Sequence, residues 1–217
     1  MTAVVQWADV DAPLDGDQAL LSLDERDRAA RFRFRRDAGR YVARRAFLRR
    51  CIGARLGVDP AAVALVTAEH GRPVVAGGAL AFSASHSDGL AVVAIDDDGH
   101  RRVGVDVERV RADVAIGDLA GRVLTPGEVA HAIDSGESVF TYWTVKEACL
   151  KAAGTGFQRP ATSIEVAFSG SEPRVDGWAV ERLPVPRPGF AAALAVNPLA
   201  VNPLAVSSPA APPAGGR

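Results

Sequence analysis

The sequence predicts a mixed fold of helices and antiparallel strands in two parts, a helix and then strands on either side of about residue 100. Three observations carry this. Tyr41–Leu56 sets Val42, Ala46, Phe47, Ile52 and Leu56 near helical spacing, and Val139–Ala153 repeats an amphipathic helical pattern that Gly154 and Gly156 stop. Short apolar and β-branched runs between turn residues read as strands. A chain of 217 residues, 48% hydrophobic and 24% charged, buries roughly 70% of its unfolded surface and needs no staples to fold.

In chain order, Ala3–Trp7 reads as a strand. Asp24–Leu56 reads as helix with a break around Gly39, and Gly57–Pro60 ends it. Val63–Thr67 is a short strand and His70–Pro73 a turn. Leu80–Ser83 and Leu90–Ile95 are strands around a Ser85–Gly89 loop. Asp96–Gly99 is a turn and Val103–Val107 an alternating strand. Asp118–Leu124 reads as helix; Thr125 caps the next one, with Pro126 at its first position and Glu128 completing a capping box. Ile164–Phe168, Trp178–Leu183 and Phe190–Val196 form an antiparallel meander. The implied units are 1–100, 101–197 and a tail, 198–217. In the tail, Val196–Ala200 is repeated at once as Val201–Ala205, and from Asn202 onward the Ser/Pro/Ala/Gly composition predicts disorder.

Charge and cysteine content narrow the class. A formal net charge of -1 gives no global reason for a nucleic-acid or membrane partner. There is neither a long apolar run nor a basic-then-apolar N-terminus, so a cytoplasmic protein is expected. Cys51 and Cys149 make no disulfide framework and read as small buried thiols. Of 25 basic residues, all but Lys146 and Lys151 are Arg, and those two share one helix. Between Arg26 and Arg50 stand eleven Arg and only Asp27 and Asp37, a local charge of +9. Such a run is either a solvated helix face or a grip on a multiply charged anion.

Three segments carry chemistry. In Arg101–Glu108, strand alternation puts Val103, Val105 and Val107 on one face and Asp106 and Glu108 on the other. Two carboxylates so placed either face solvent or share a cation, and oxygen ligands suit Mg²⁺. Gly104 leaves backbone room for a ligand. In Trp143–Lys151, Glu147 and Lys151 are neighbours on one helix face. They are either a surface ion pair or, with Trp143 and Leu150 as apolar flanks, a partly buried site with Glu147 as a third metal carboxylate and Lys151 on a phosphate. Ser85-His86-Ser87 supplies hydroxyl and imidazole groups that either bind phosphate or bond the local backbone.

In this order, Gly71-Arg72-Pro73, Ser85-His86-Ser87, Gly104-Val105-Asp106-Val107-Glu108 and Trp143-Thr144-Val145-Lys146-Glu147-Ala148-Cys149-Leu150-Lys151 resemble the 4'-phosphopantetheinyl transferase superfamily, in its long, surfactin-synthetase type. Arg36-Asp37-Ala38-Gly39-Arg40 resembles the family's N-terminal helix, and the resemblance spans about residues 20–197. Ser83 departs from the Asn of many members. The resemblance implies an α+β fold of two similar halves related by a pseudo-twofold, each a long helix on a small antiparallel sheet, with coenzyme A between them. It implies a monomer that transfers the phosphopantetheine arm of coenzyme A to a serine of an acyl or peptidyl carrier protein of polyketide, peptide or fatty-acid synthesis, releasing 3',5'-ADP. It implies Mg²⁺, or Mn²⁺ in its place, on Asp106, Glu108 and Glu147. Lys151 would meet the phosphate charge, His86 and Ser85 the phosphates, and Arg28, Arg40, Arg44 and Arg72 the 3'-phosphate end. Glu147 or Glu108 would take the serine proton. The carrier is expected near Leu119, Val123 and Leu124. The alternatives are a metal-dependent hydrolase of coenzyme A and a non-catalytic coenzyme A-binding module.

Overall fold

A computed structural model describes residues 3–68, 71–78, 80–96, 101–154 and 159–201. The strands are β1 (Ala3–Asp9), β2 (Leu65–Thr67), β3 (Pro73–Val75), β4 (Phe82–Ser87), β5 (Leu90–Asp96), β6 (Arg101–Arg109), β7 (Ala167–Ser169), β8 (Glu172–Arg174), β9 (Ala179–Arg182) and β10 (Phe190–Val201). The helices are α1 (Leu23–Ala30), α2 (Arg35–Leu56), the single turn α3 (Ile116–Leu119), α4 (Pro126–Ser135) and α5 (Val139–Ala153). Each half is a long helix on a three-stranded antiparallel sheet: α2 on β1-β5-β4, and α5 on β6-β10-β9. This is the expected α+β architecture of two similar halves.

Periodicity explains the layering. Leu48, Cys51 and Ile52 of α2 pack on Phe82, Val93 and Ile95. The alternate residues of β5, Leu90, Val92 and Ala94, meet Val103, Val105 and Val107 of β6 and Ala192, Leu194 and Val196 of β10 in a core common to both halves. Helix α5 is buried nearly all round: within it only Trp143, Glu147, Lys151 and the terminal Ala153 reach solvent. The capping box at Thr125 and Glu128 forms as the sequence predicts. Cys51 and Cys149 are free and buried, and burial pushes both thiols up to about 12.

Several boundaries differ from expectation. The helical break lies at 31–34, not at Gly39, which sits inside α2. Ser22 closes a capping box on α1. Glu25 accepts hydrogen bonds from Arg45 and Arg49, and this folds α1 back onto α2. Burial alone would raise the Glu25 pKa, but the Ser22 N–H and these guanidiniums hold it below the ordinary value. Ser85-His86-Ser87 is strand, not loop; the turn is Asp88-Gly89, with Asp88 at φ 47°. The helix expected over Asp118–Leu124 is instead a single turn, Ile116–Leu119, followed by turns closed by an isolated bridge between Ala120 and Leu124, because Ala120 leaves helical geometry. The sequence reading omits the short strands β3 and β8. His70, the Asp97–Gly99 part of the expected turn, Gly156 and the tail from Asn202 lie outside the described residues.

Candidate active site

Strand β6 brings the two carboxylates to one face, as alternation requires. Val103, Val105 and Val107 are fully buried in the shared core, and Asp106 and Glu108 point the other way. Helix α5 lies across that face. It can do so because its neighbours are small: Ala193 and Ala191 of β10 stand opposite Asp106 and Glu108, and Gly104 has no side chain. A Cβ on Gly104 would lie 1.9 Å from the Ala148 carbonyl oxygen and 2.6 Å from the Ala152 nitrogen. The close approach expected of a ligand at Gly104 is therefore made by helix backbone.

Lys151 does not pair with Glu147. Its Nζ donates to Asp106 Oδ1 at 2.7 Å and to the Val105 carbonyl at 3.1 Å. The same Oδ1 accepts the Ser85 hydroxyl at 2.7 Å, while Asp106 Oδ2 is buried with no partner. Ser87 donates to Glu108 Oε2 at 2.9 Å. Burial, then the Asp106 charge, raises the pKa of Glu108 and of Glu147. Glu108 and Glu147 thus feel the negative charge of Asp106, and the Lys151 charge opposes it at both. Among the described residues no three such ligands close into a ready cage. The donors nevertheless fit Mg²⁺, which takes one or two carboxylates and fills its octahedron with water and phosphate oxygens, and the orphaned Asp106 oxygen is a site that a cation would satisfy.

Beside these carboxylates is a cleft of about 460 Å³ whose walls include Arg28, Tyr41, Arg44, Ser85 and His86. Arg28 and Arg44 lie over the Tyr41 ring at 5.6 and 5.0 Å from its centroid. Arg44 contacts the His86 imidazole. Burial against the cleft wall, then the charges of Arg44, Lys151 and Arg40, pushes His86 down to about 4, so its ring is neutral at pH 7.

The structure thus sorts the arginine run, beginning with Arg26, which is exposed and donates to the Ala19 carbonyl at 3.0 Å. Arg28, Arg44 and Arg45 line the cleft. Arg40 is bound to Asp11 at 2.6 Å, and Arg72 donates to the Phe82 carbonyl at 2.8 Å and the Lys151 carbonyl at 3.5 Å, so neither lines the cleft. Arg45 and Arg49 hold Glu25, Arg50 pairs with Asp17, and Arg31, Arg33, Arg35 and Arg36 are exposed. Lys146, adjacent in sequence to Glu147, is wholly buried, with Nζ on Glu128 Oε2 at 2.6 Å and the Val123 carbonyl at 2.7 Å. Val123 and Leu124 are buried in the core under α5, so they cannot form the expected carrier-docking surface. Sequence reasoning missed Tyr41, which carries two cations, and the role of Ser87, whose alternation with Ser83 and Ser85 was visible.

The chain matches the 4'-phosphopantetheinyl transferase superfamily over residues 102–184 and the N-terminal region of 4'-phosphopantetheinyl transferase over residues 5–97. It is 35% identical over 191 residues to the 4'-phosphopantetheinyl transferase HetI of Nostoc sp., covering 82% of this chain and 79% of that protein. It is 28% identical to a 4'-phosphopantetheinyl transferase of Bacillus subtilis over 68% of this chain and 66% of that one. A holo-[acyl-carrier-protein] synthase of Cereibacter sphaeroides shares 36% identity over 85 residues, 35% of this chain and 62% of that protein. The chain belongs to the 4'-phosphopantetheinyl transferase superfamily, and its enzyme class is that of these transferases. No helix among the described residues is long and apolar enough to cross a membrane.

Proposed function

We propose that the protein transfers the 4'-phosphopantetheine arm of coenzyme A to a serine of an acyl or peptidyl carrier protein in a Mg²⁺-dependent reaction, acting as a cytoplasmic monomer. One observation carries this reading. The only stripe of α5 that reaches solvent before its last residue is Trp143, Glu147 and Lys151, and it lies over a strand face bearing Asp106 and Glu108. The two solvent-reaching ionic side chains of an otherwise buried helix thus meet the two carboxylates of β6.

Arg28 and Arg44, both over the Tyr41 ring, suit the 3'-phosphate end of coenzyme A, and neutral His86 can donate to a phosphate oxygen, while the Ser85 hydroxyl beside it gives its proton to Asp106. Asp106, Glu108 and Glu147 would hold Mg²⁺, which supplies charge neutralisation on the pyrophosphate when bound. The serine oxygen forms a bond to the phosphorus nearer the pantetheine, the bond from that phosphorus to the bridging oxygen breaks, and 3',5'-ADP leaves. Glu147, half-buried with a raised pKa, is suited to receive the serine proton, with Glu108 as the neighbouring carboxylate. Lys151 would meet the charge that develops on the leaving phosphate.

The test is intact mass spectrometry of apo carrier proteins incubated with the protein, coenzyme A and Mg²⁺. One added phosphopantetheine arm, lost in EDTA, is the expected result. Cleavage of coenzyme A without a carrier and without arm transfer would instead assign a hydrolase.

A further inference from the structure

The seam between the two halves is built from hydroxyls. Strands β4 and β6 run side by side in the same direction, yet no backbone ladder joins them; β4 pairs only with β5, and β6 only with β10. Every second residue of β4 crosses the gap instead. Ser83 Oγ accepts the Val105 N–H at 3.0 Å, Ser85 donates to Asp106, and Ser87 Oγ accepts the Arg109 N–H at 3.0 Å while donating to Glu108. These are edge amides of β6, and the serines satisfy them where a ladder would have done so.

Ser87 is the most constrained of the three. A hydroxyl has one proton. With its oxygen lone pair on the Arg109 amide, that proton goes to Glu108 Oε2. Its backbone is fixed opposite Leu90 beside the Asp88-Gly89 turn, where Gly89 leaves space that the Asp11 carboxylate fills. Ser87 is not among the residues that line the cleft, and its hydroxyl is committed to Glu108 and the Arg109 amide.

We infer that Ser87 is a positioning residue: from the N-terminal half it aims the Glu108 carboxylate of the C-terminal half at the cation site. This rests on the transferase reading for the identity of that site. The metal carboxylates are thereby set only when the two halves are seated on each other. Outer hydrogen bonds to ligating carboxylates typically change metal affinity 10–100-fold when removed.

The experiment measures Mn²⁺ binding by electron paramagnetic resonance on the full chain with coenzyme A and no carrier, alongside kcat, and coenzyme A affinity in EDTA. Ser87→Ala should weaken Mn²⁺ about tenfold or more and lower kcat, with coenzyme A affinity in EDTA unchanged. Ser87→Thr, which keeps the hydroxyl, should recover most of both. Ser83→Ala removes a seam bond that touches no carboxylate; it should lower the melting temperature while leaving Mn²⁺ affinity near wild type. Wild-type Mn²⁺ affinity in Ser87→Ala, equal loss in Ser83→Ala, or no Mn²⁺ binding by the wild type would overturn the inference. If the wild type binds Mn²⁺ with coenzyme A but modifies no carrier, the transferase reading falls and the Ser87 result still stands on its own.

Discussion

Lys146 and Lys151 occupy one helix and serve opposite ends. Lys146 is a buried strut on Glu128, a carboxylate that also accepts the Thr125 and Val166 amides. Removing the ammonium leaves a buried carboxylate uncompensated. Lys146→Met should therefore cost about 3–5 kcal/mol in urea unfolding. Lys151 is about a third exposed, and Lys151→Arg should change stability by less than about 1 kcal/mol. Its kcat should nonetheless fall roughly tenfold or more with coenzyme A affinity kept, because a longer planar guanidinium cannot sit between Asp106 and the Val105 carbonyl. Unchanged kcat would make Lys151 scaffold. The cleft arginines separate in the same way. Arg28→Ala and Arg44→Ala should each weaken coenzyme A about 10- to 100-fold more than 3'-dephospho-coenzyme A, whereas Arg40→Ala, which frees Asp11 outside the cleft lining, should affect both alike. His86 is a pH probe of the cleft. Its folded pKa lies below the unfolded value, so its neutral form is favoured and it lowers stability as pH falls from about 6.5 towards about 4. An NMR titration of the ring should give a midpoint well below 6.5, and Arg44→Ala should move it up by removing the second-largest cause of the shift. Asp106, Glu108, Glu147 and Lys151 were legible in the sequence because strand and helix periods place them. Arg40, Arg45, Arg49 and Arg50 were not, because Asp11, Glu25 and Asp17 reach them only through tertiary folding.

Elements were legible where a local device sets them. Thr125, Pro126 and Glu128 fix the start of α4, and Gly154 in left-handed geometry stops α5. They were not legible where the deciding contact is distant. Gly39 carries no penalty large enough to break a helix whose arginines are held by Glu25, so α2 runs through it. The apparent amphipathicity of α5 understates its burial, since Thr144 and Lys146 are polar in sequence but enclosed in the fold. Gly104 joins the two elements that make the site. Gly104→Ala would drive a methyl into the backbone of α5 rather than into a yielding side chain. The helix must shift, and overpacking of this kind costs about 3 kcal/mol or more. Urea unfolding should show that loss, and transfer should fall with it, because Glu147 and Lys151 ride on the displaced helix. A fully stable, fully active Gly104→Ala would mean that α5 sits farther from β6 than the 1.9 Å contact requires.

The two parts read from the sequence, 1–100 and 101–197, each keep an apolar cluster of their own, under α2 and under α5, and a third cluster is common to both. Leu90, Val92 and Ala94 from the first pack in one cluster with Val103, Val105, Val107, Ala192, Leu194 and Val196 from the second. The serines of β4 complete the edge of β6, and Arg187 of the second half reaches Asp9 of the first at 2.5 Å. Separating the halves would expose that apolar cluster and leave the Val105 and Arg109 amides without partners. At about 1.5–3 kcal/mol for each fully buried valine or leucine, that cluster is comparable with the ordinary 5–15 kcal/mol stability of a whole domain. Unfolding should therefore be a single cooperative transition. The three tryptophans report it from both sides: Trp7 lies in the first half, Trp143 and Trp178 in the second. A Trp143→Phe/Trp178→Phe double variant leaves Trp7 as reporter of the first half, and Trp7→Phe leaves the second-half pair. Urea midpoints from the two fluorescence signals, each checked against circular dichroism of the same variant, should coincide. Midpoints that differ between fluorescence and circular dichroism within one variant would show halves that unfold independently, and the common core would then contribute far less than its burial implies.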